Sequence, residues 1–260
     1  MTAIYAERRT SRSAEWSRRT GYFSLVLLVV SGLGHRYGFV ETIPFLAVMS
    51  VVAGLAVFAL VCAIFGFLRL WQRGDKAGIS ATAGAFMALL ALSPFIAAGV
   101  AFTIYPELND ISTDTVNPPA MPLAIAERDA TMNPIVAATP EAVAQQIKAY
   151  PAVTGRRFEA TVDQVLDKVV AEAGARGWQV HIADAPTESA QRATVEMETF
   201  TPVFAFVGDA VVRLVEEEDA TYVDMRSASR FGRHDFGHNA RLITSFLAAI
   251  DASLKTGEPE

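Results

Sequence analysis

A chain of 260 residues, 52% of them hydrophobic, with a mean hydropathy of +0.29, is long enough for more than one structural unit and too apolar for an ordinary soluble domain, so part of it is expected in lipid. Its formal charge of −6 is unevenly divided: residues 1–105 hold nine Lys and Arg against four Asp and Glu, net +5, whereas residues 106–260 hold 13 against 24, net −11. The acidic half argues against nucleic acid as a partner, because phosphate binding needs a concentrated basic field.

In chain order, residues 1–20 form a basic tail carrying Arg8, Arg9, Arg12, Arg18 and Arg19. Three hydrophobic segments follow within residues 21–105. The segments 43–68 and 79–105 are uncharged, and each exceeds the roughly 20 residues that cross a bilayer. The segment 22–40 is weaker, because His35 and Arg36 interrupt its apolar run and would have to snorkel to the interface. Arg69, Arg73 and Lys76 lie between the second and third segments. Keeping both basic clusters on the cytoplasmic side requires the first segment to cross. The expectation is therefore three transmembrane helices in the inner (cytoplasmic) membrane, a cytoplasmic N-terminus, and a periplasmic, extracytoplasmic domain after Pro106. A cleavable signal peptide is disfavoured, since further spans rather than a small-residue cleavage site follow the first apolar core. The single Cys62 falls in the second span, which leaves the exported domain no disulfide and no thiol nucleophile.

Residues 106–157 form an arm with seven prolines and one short helical stretch, PEAVAQQIKAY. It is too apolar for a solvated tether and is expected to pack on the exported domain of residues 158–260. There, Val162, Val165, Leu166, Val169, Val170 and Ala173 recur at helical spacing behind a capping box of Thr161 and Gln164. WQVHIAD, TVEMET, VVRLVEE and TYVDMRS alternate as strands, and Leu242, Ile243, Phe246, Leu247 and Ile250 mark a last helix. The predicted fold class is α+β: three N-terminal transmembrane helices, then an exported two-layer domain with a four-stranded, mainly antiparallel sheet and two helices on one face. Period two then places His181, Glu196, Glu198, Arg213, Tyr222, Asp224 and Arg226 together on the opposite face. That charged grid reads either as a solvated face with cross-strand ion pairs or as a polar pocket closed by the arm.

LNDISTD and NPP at 108–119, YP at 150–151, GW at 177–178 and, most specifically, VDMRSASRFGRHDFGHNARLITSFL resemble the family catalogued as domain of unknown function 1499, over about residues 107–250. The resemblance implies an exported, membrane-tethered domain and supplies no reaction. Where paired acidic residues are expected before the third strand in that family, this chain has Gly208 and Asp209.

The residues singled out as a ligand-binding or structural network are Asp110, Arg213, Asp224, Arg226, Ser227, Ser229, Arg230, Asp235 and Asn239. Asp235 is placed to N-cap the last helix. Asn239 falls on that helix's apolar stripe, where its amide must find partners. Arg230, Arg233 and His234 crowd the same helix start, which can favour an anion. His234 and His238 lack a third ligand, so no metal is expected; no glycine-rich phosphate loop occurs, so no cofactor is expected either. Two functional readings stay open. The first is a non-enzymatic cell-envelope module, seated in the lipid bilayer, that binds a protein partner or a small anionic or lipidic ligand. The second is an envelope hydrolase or transferase using Asp224, Ser227 and His234, although no nucleophile-elbow motif accompanies them.

Overall fold

The computed structural model describes residues 9–184 and 192–255. The chain divides into two compact units, Met1–Val100 and Ala101–Glu260. The first is built from helix α1 (Arg12–Arg36), helix α2 (Thr42–Arg73) and most of helix α3 (Gly78–Ile104). Ala14, Ser17, Gly21, Ser24, Leu28, Ser31 and His35 are buried on α1, and Thr42, Phe45, Met49, Val52, Ala56, Ala59, Ala63 and Gly66 on α2. These positions step by three and four, the repeat of a left-handed supercoil. Most are small, which lets helix backbones approach closely; a Cβ on Gly21 would meet the carbonyl oxygen of Gly84 in α3 at 2.5 Å. At the far end of α1, His35 bonds Thr42 at 3.0 Å and stacks on Phe45.

Among the described residues two helices, not three, are long and apolar enough to cross a membrane: α2 and α3. The expectation of a third spanning helix is corrected at α1. Its apolar run covers only residues 22–34, a rise of about 20 Å against a hydrocarbon core of about 30 Å. The rest of its 25 residues carries Arg, Glu and His.

Among the described residues of the second unit the sheet has six strands, not four. The four expected from alternation form an antiparallel meander: β3 (Gln179–Asp184), β4 (Arg192–Phe200), β5 (Val207–Glu217) and β6 (Ala220–Ser229). A two-residue turn with Glu218 in the left-handed region joins β5 to β6. The two further strands come from the proline-rich stretch. Strand β1 (Asp110–Ser112) and strand β2 (Arg156–Phe158) both pair antiparallel with β6, side by side along its outer edge. Three-residue strands show no measurable alternation, and pairing rather than local pattern defines them.

Helix α6 (Val162–Ala175) opens with the expected capping box and packs with helix α7 (His238–Lys255) on one sheet face. Val195, Met197, Val212, Leu214, Val223 and Met225 meet Val165, Val169, Ile243, Phe246 and Leu247 in the resulting core. Two shorter helices, α4 (Pro122–Glu127) and α5 (Pro140–Ala149), belong to the arm. Met121 and Ala124 of the arm pack on Val211 and Ala228 across the opposite face of the sheet. The Gln146 side chain of α5 pairs with both backbone groups of Ser112. Both sheet faces are therefore covered.

Candidate functional site

Cross-strand register collects the charged residues. Asp209 pairs with Ala228 across β5 and β6, and Glu198 pairs with Asp209 across β4 and β5. Asp209 receives Arg230 on one side and Arg128 of the arm on the other, and Arg230 also reaches Glu198 at 2.8 Å and Glu127 at 3.0 Å. Further along the sheet, Arg213 bridges Asp224 at 2.7 Å and Asp114 at 2.9 Å, while Arg226 holds Asp110 through two nitrogens. Asp224 also accepts from the Thr113 hydroxyl. Glu196, 3% exposed, accepts the backbone N–H groups of Leu123 and Ala124, so a sheet carboxylate caps the arm's helix α4. Every arginine in this set has a carboxylate partner, and the arm supplies Asp110, Asp114, Glu127 and Arg128.

The remaining predicted residues form a second cluster where β6 meets α7. Ser227 donates to the Oδ1 of Asn239, whose amide nitrogen donates to the Ser229 hydroxyl and to the carbonyl of Asn109. Asn239, 2% exposed, thus ties the last strand, the last helix and the start of the arm together. Asp235 accepts from the backbone N–H groups of Gly237 and Asn239 at the start of α7; burial raises its pKa above the ordinary carboxylate value against the pull of those bonds. His234 accepts from the Phe236 N–H through Nδ1, so its Nε2 carries the proton and donates to the Tyr105 carbonyl. Pairing register puts Asp224 on the arm face, while Ser227 shares the core face with Ala210. The structure therefore does not bring Asp224, Ser227 and His234 into one relay. Among the described residues no group of three or more His, Cys, Asp or Glu is arranged to hold a metal.

Sequence reasoning missed Arg128 and Asn133; it placed Glu196 on the charged face and noted Asp209 beside Gly208, but gave neither a part in the network. Asn133 donates to the carbonyls of Ser229 and Gly232. It also missed a cavity of about 430 Å³ lined by Ile104, Tyr105, Pro106, Tyr150, Pro151, Val153, Gly237, Ala240, Arg241 and Thr244. The Arg241 guanidinium lies 5.2 Å over the Tyr105 ring, an attraction of cation to π face. The Tyr150 hydroxyl is buried and without a hydrogen-bond partner, one of two such side-chain atoms among the described residues. Burial, with Asp235 and Tyr105 nearby, pushes its pKa up to about 12, so the phenol stays a donor. A larger hollow of about 750 Å³ lies between Arg157, Glu159, Asp167, Lys168, Asp251 and Lys255. Its charges are of both signs and face solvent, and none of its polar groups is both buried and unpartnered. The 430 Å³ cavity is the better candidate for a ligand, since it joins apolar walls to a few convergent polar groups.

The family model described as "Protein of unknown function (DUF1499)" matches residues 110–250, from the first arm strand to the last turns of α7. A search of curated proteins finds no match.

Proposed function

We propose that this chain, which belongs to the DUF1499 family of proteins of unknown function, is a membrane-anchored binding module of the cell envelope. Its sheet domain takes a small amphiphilic anion into the cavity at Tyr105, Tyr150 and Arg241. The observation that carries this reading is the Arg241 guanidinium over the Tyr105 ring in a cavity whose other walls are largely apolar; Tyr150, another lining residue, holds a buried hydroxyl with no partner. Leaving a polar group unsatisfied costs about 1 to 3 kcal/mol, a cost that a ligand acceptor would remove. Arg241 adds a cation beside it, and Ile104, Pro106, Pro151 and Val153 add apolar wall for a hydrocarbon portion.

Anchoring is supported by α2 and α3. In our reading α1, whose apolar run is too short to span alone, crosses packed along α2, which leaves the N-terminus cytoplasmic and the sheet domain on the far side of the inner membrane, facing the periplasm. Lys76 donates its backbone N–H to the Arg9 carbonyl and accepts from the Ser11 N–H. The basic clusters at the start of α1 and the end of α2 thus lie at one end of the helical unit, as the positive-inside rule favours.

Native mass spectrometry of the full-length protein, released from mild detergent in the presence of dodecyl phosphate, tests the site. Wild type is expected to retain one alkyl phosphate, and Tyr150→Phe and Arg241→Ala to lose it. Tyr150→Phe should at the same time raise the thermal midpoint of the ligand-free protein, because it removes an unsatisfied hydroxyl. Equal retention by all three proteins would refute the assignment.

A further inference from the structure

We infer that the loop between β4 and β5, residues 201–206, seats in the interfacial region of the bilayer beside the end of α3. The inference rests on the membrane reading of α3 and goes beyond the cavity. Residues 199–208, TFTPVFAFVG, form an uncharged run between Glu198 and Asp209. Val203 is 70% exposed at the tip, although a soluble hairpin ordinarily presents polar turn residues there. Within the loop, Thr201 exchanges backbone bonds with Phe206 and Ala205, and its hydroxyl accepts the Phe206 N–H. These bonds cover the Thr201, Ala205 and Phe206 amides, which lowers the cost of bringing the loop toward lipid.

Register shows which end of the sheet this loop occupies. Phe200 pairs with Val207, and Gly208 with Ser229, whose N–H donates to the Asn109 carbonyl. Asn109 is five residues beyond Ile104, the last residue of α3, so the chain can span at most about 17 Å between them. The sheet end that carries the loop is thereby tethered close to the mouth of an apolar helix. The same end carries Phe236, in ring contact with His234, which in turn meets Phe102 in the last turn of α3. It also presents Arg233, whose side chain is 87% exposed and whose ion pair with Glu107 at 2.9 Å is open to solvent, so that an anionic headgroup can compete for it. A lipid surface fits this combination of aromatic residues, an apolar tip and a basic flank.

Spin labels on single cysteines in a Cys62→Ala background, with the full-length protein in vesicles of phosphatidylethanolamine and phosphatidylglycerol, decide the matter. Collision rates with lipid-soluble oxygen and with a water-soluble nickel chelate report the depth of each label. A label at Val203→Cys should collide with oxygen several-fold more than with nickel, whereas one at Val116→Cys, 93% exposed on the arm, should show the reverse. A label at Ile96→Cys in α3 tests the membrane reading separately. If position 203 behaves like 116 while 96 is immersed, the loop inference is overturned and the anchor stands. If 96 is aqueous too, the membrane reading fails and the inference with it.

Discussion

The face of the sheet turned to α6 and α7 and the face turned to the arm arise from alternate residues of the same strands, yet they are held by different forces. On the helix side, Val195, Met197, Val212, Leu214, Val223 and Met225 are at most 2% exposed and meet other apolar side chains. On the arm side, Glu196, Asp209, Asp224, Arg226 and Arg230 are nearly as deeply buried, at 3 to 8% exposure, and each meets a polar partner from the arm or a neighbouring strand. The contrast follows from what covers each face. A long amphipathic helix offers a broad apolar stripe, and non-directional burial suffices to hold it. The arm's apolar residues form no continuous stripe and it has little regular structure, so directional bonds must specify where each part of it lies.

The sharpest way to break this comparison is Asp209→Ala in the full-length protein. It strands the buried guanidinium of Arg128 and takes one of three carboxylates from Arg230, and should cost about 3 to 5 kcal/mol in denaturant unfolding; a loss below about 1 kcal/mol, the scale of exposed pairs, would reduce the arm face to solvated charge. The matching change on the helix face, Leu214→Ala, should cost about 2 to 5 kcal/mol through cavity formation. The two differ in kind: only Asp209→Ala should open residues 113–136 to protease under native conditions, and equal cleavage in both variants would erase the distinction.

Asn239→Ala, at the seam between the faces, should cost about 1 to 3 kcal/mol, because Ser227, Ser229 and the Asn109 carbonyl lose their partner. A neutral result would remove Asn239 as the link to the arm. A smaller effect is expected from pH. Burial, helped by Arg241, depresses the His238 pKa, so the unfolded chain takes up that proton more readily than the folded one. Its contribution is intact above about pH 6.5, the ordinary histidine value, and is lost as pH falls through that range. Wild type should therefore lose more stability between pH 7 and 5 than His238→Gln; identical slopes would show that the ring is solvated. The smallest effect is expected at Arg233→Ala, whose ion pair with Glu107 is largely exposed: less than about 0.5 kcal/mol, read from the denaturant midpoint.

What was legible in the sequence was whatever repeats. The apolar steps of α6 and α7 and the alternation of β3 to β6 are local patterns, and both the helix face and the charged face followed from them. The capping role of Asp235 and the inward bonds of Asn239 were legible because a polar residue on an apolar stripe must find partners. Strands β1 and β2 were not, since three residues have no period. Asp209 was noticed only as a departure from an expected acidic pair; its partner Arg128 lies 81 residues earlier in a stretch without regular pattern. The cavity draws on three separate stretches of chain, none distinctive alone. At α1 the loop charges favoured a crossing, but the uninterrupted apolar length falls short of one.

The pairing of β1 with β6 also sets an order of events during synthesis. Asp110 pairs with Ala228, so the arm leaves the ribosome well over a hundred residues before the strand that receives it. At chain elongation rates of about 5 to 20 residues per second, the arm waits for roughly 6 to 24 seconds with its carboxylates unpaired. Closure of so distant a contact comes late in folding. Meanwhile the meander and its two helices can assemble from contacts closer along the chain. Within the sheet domain the segment made first is therefore the last to be fastened, and a chain cut short before residue 220 would leave its arm permanently adrift.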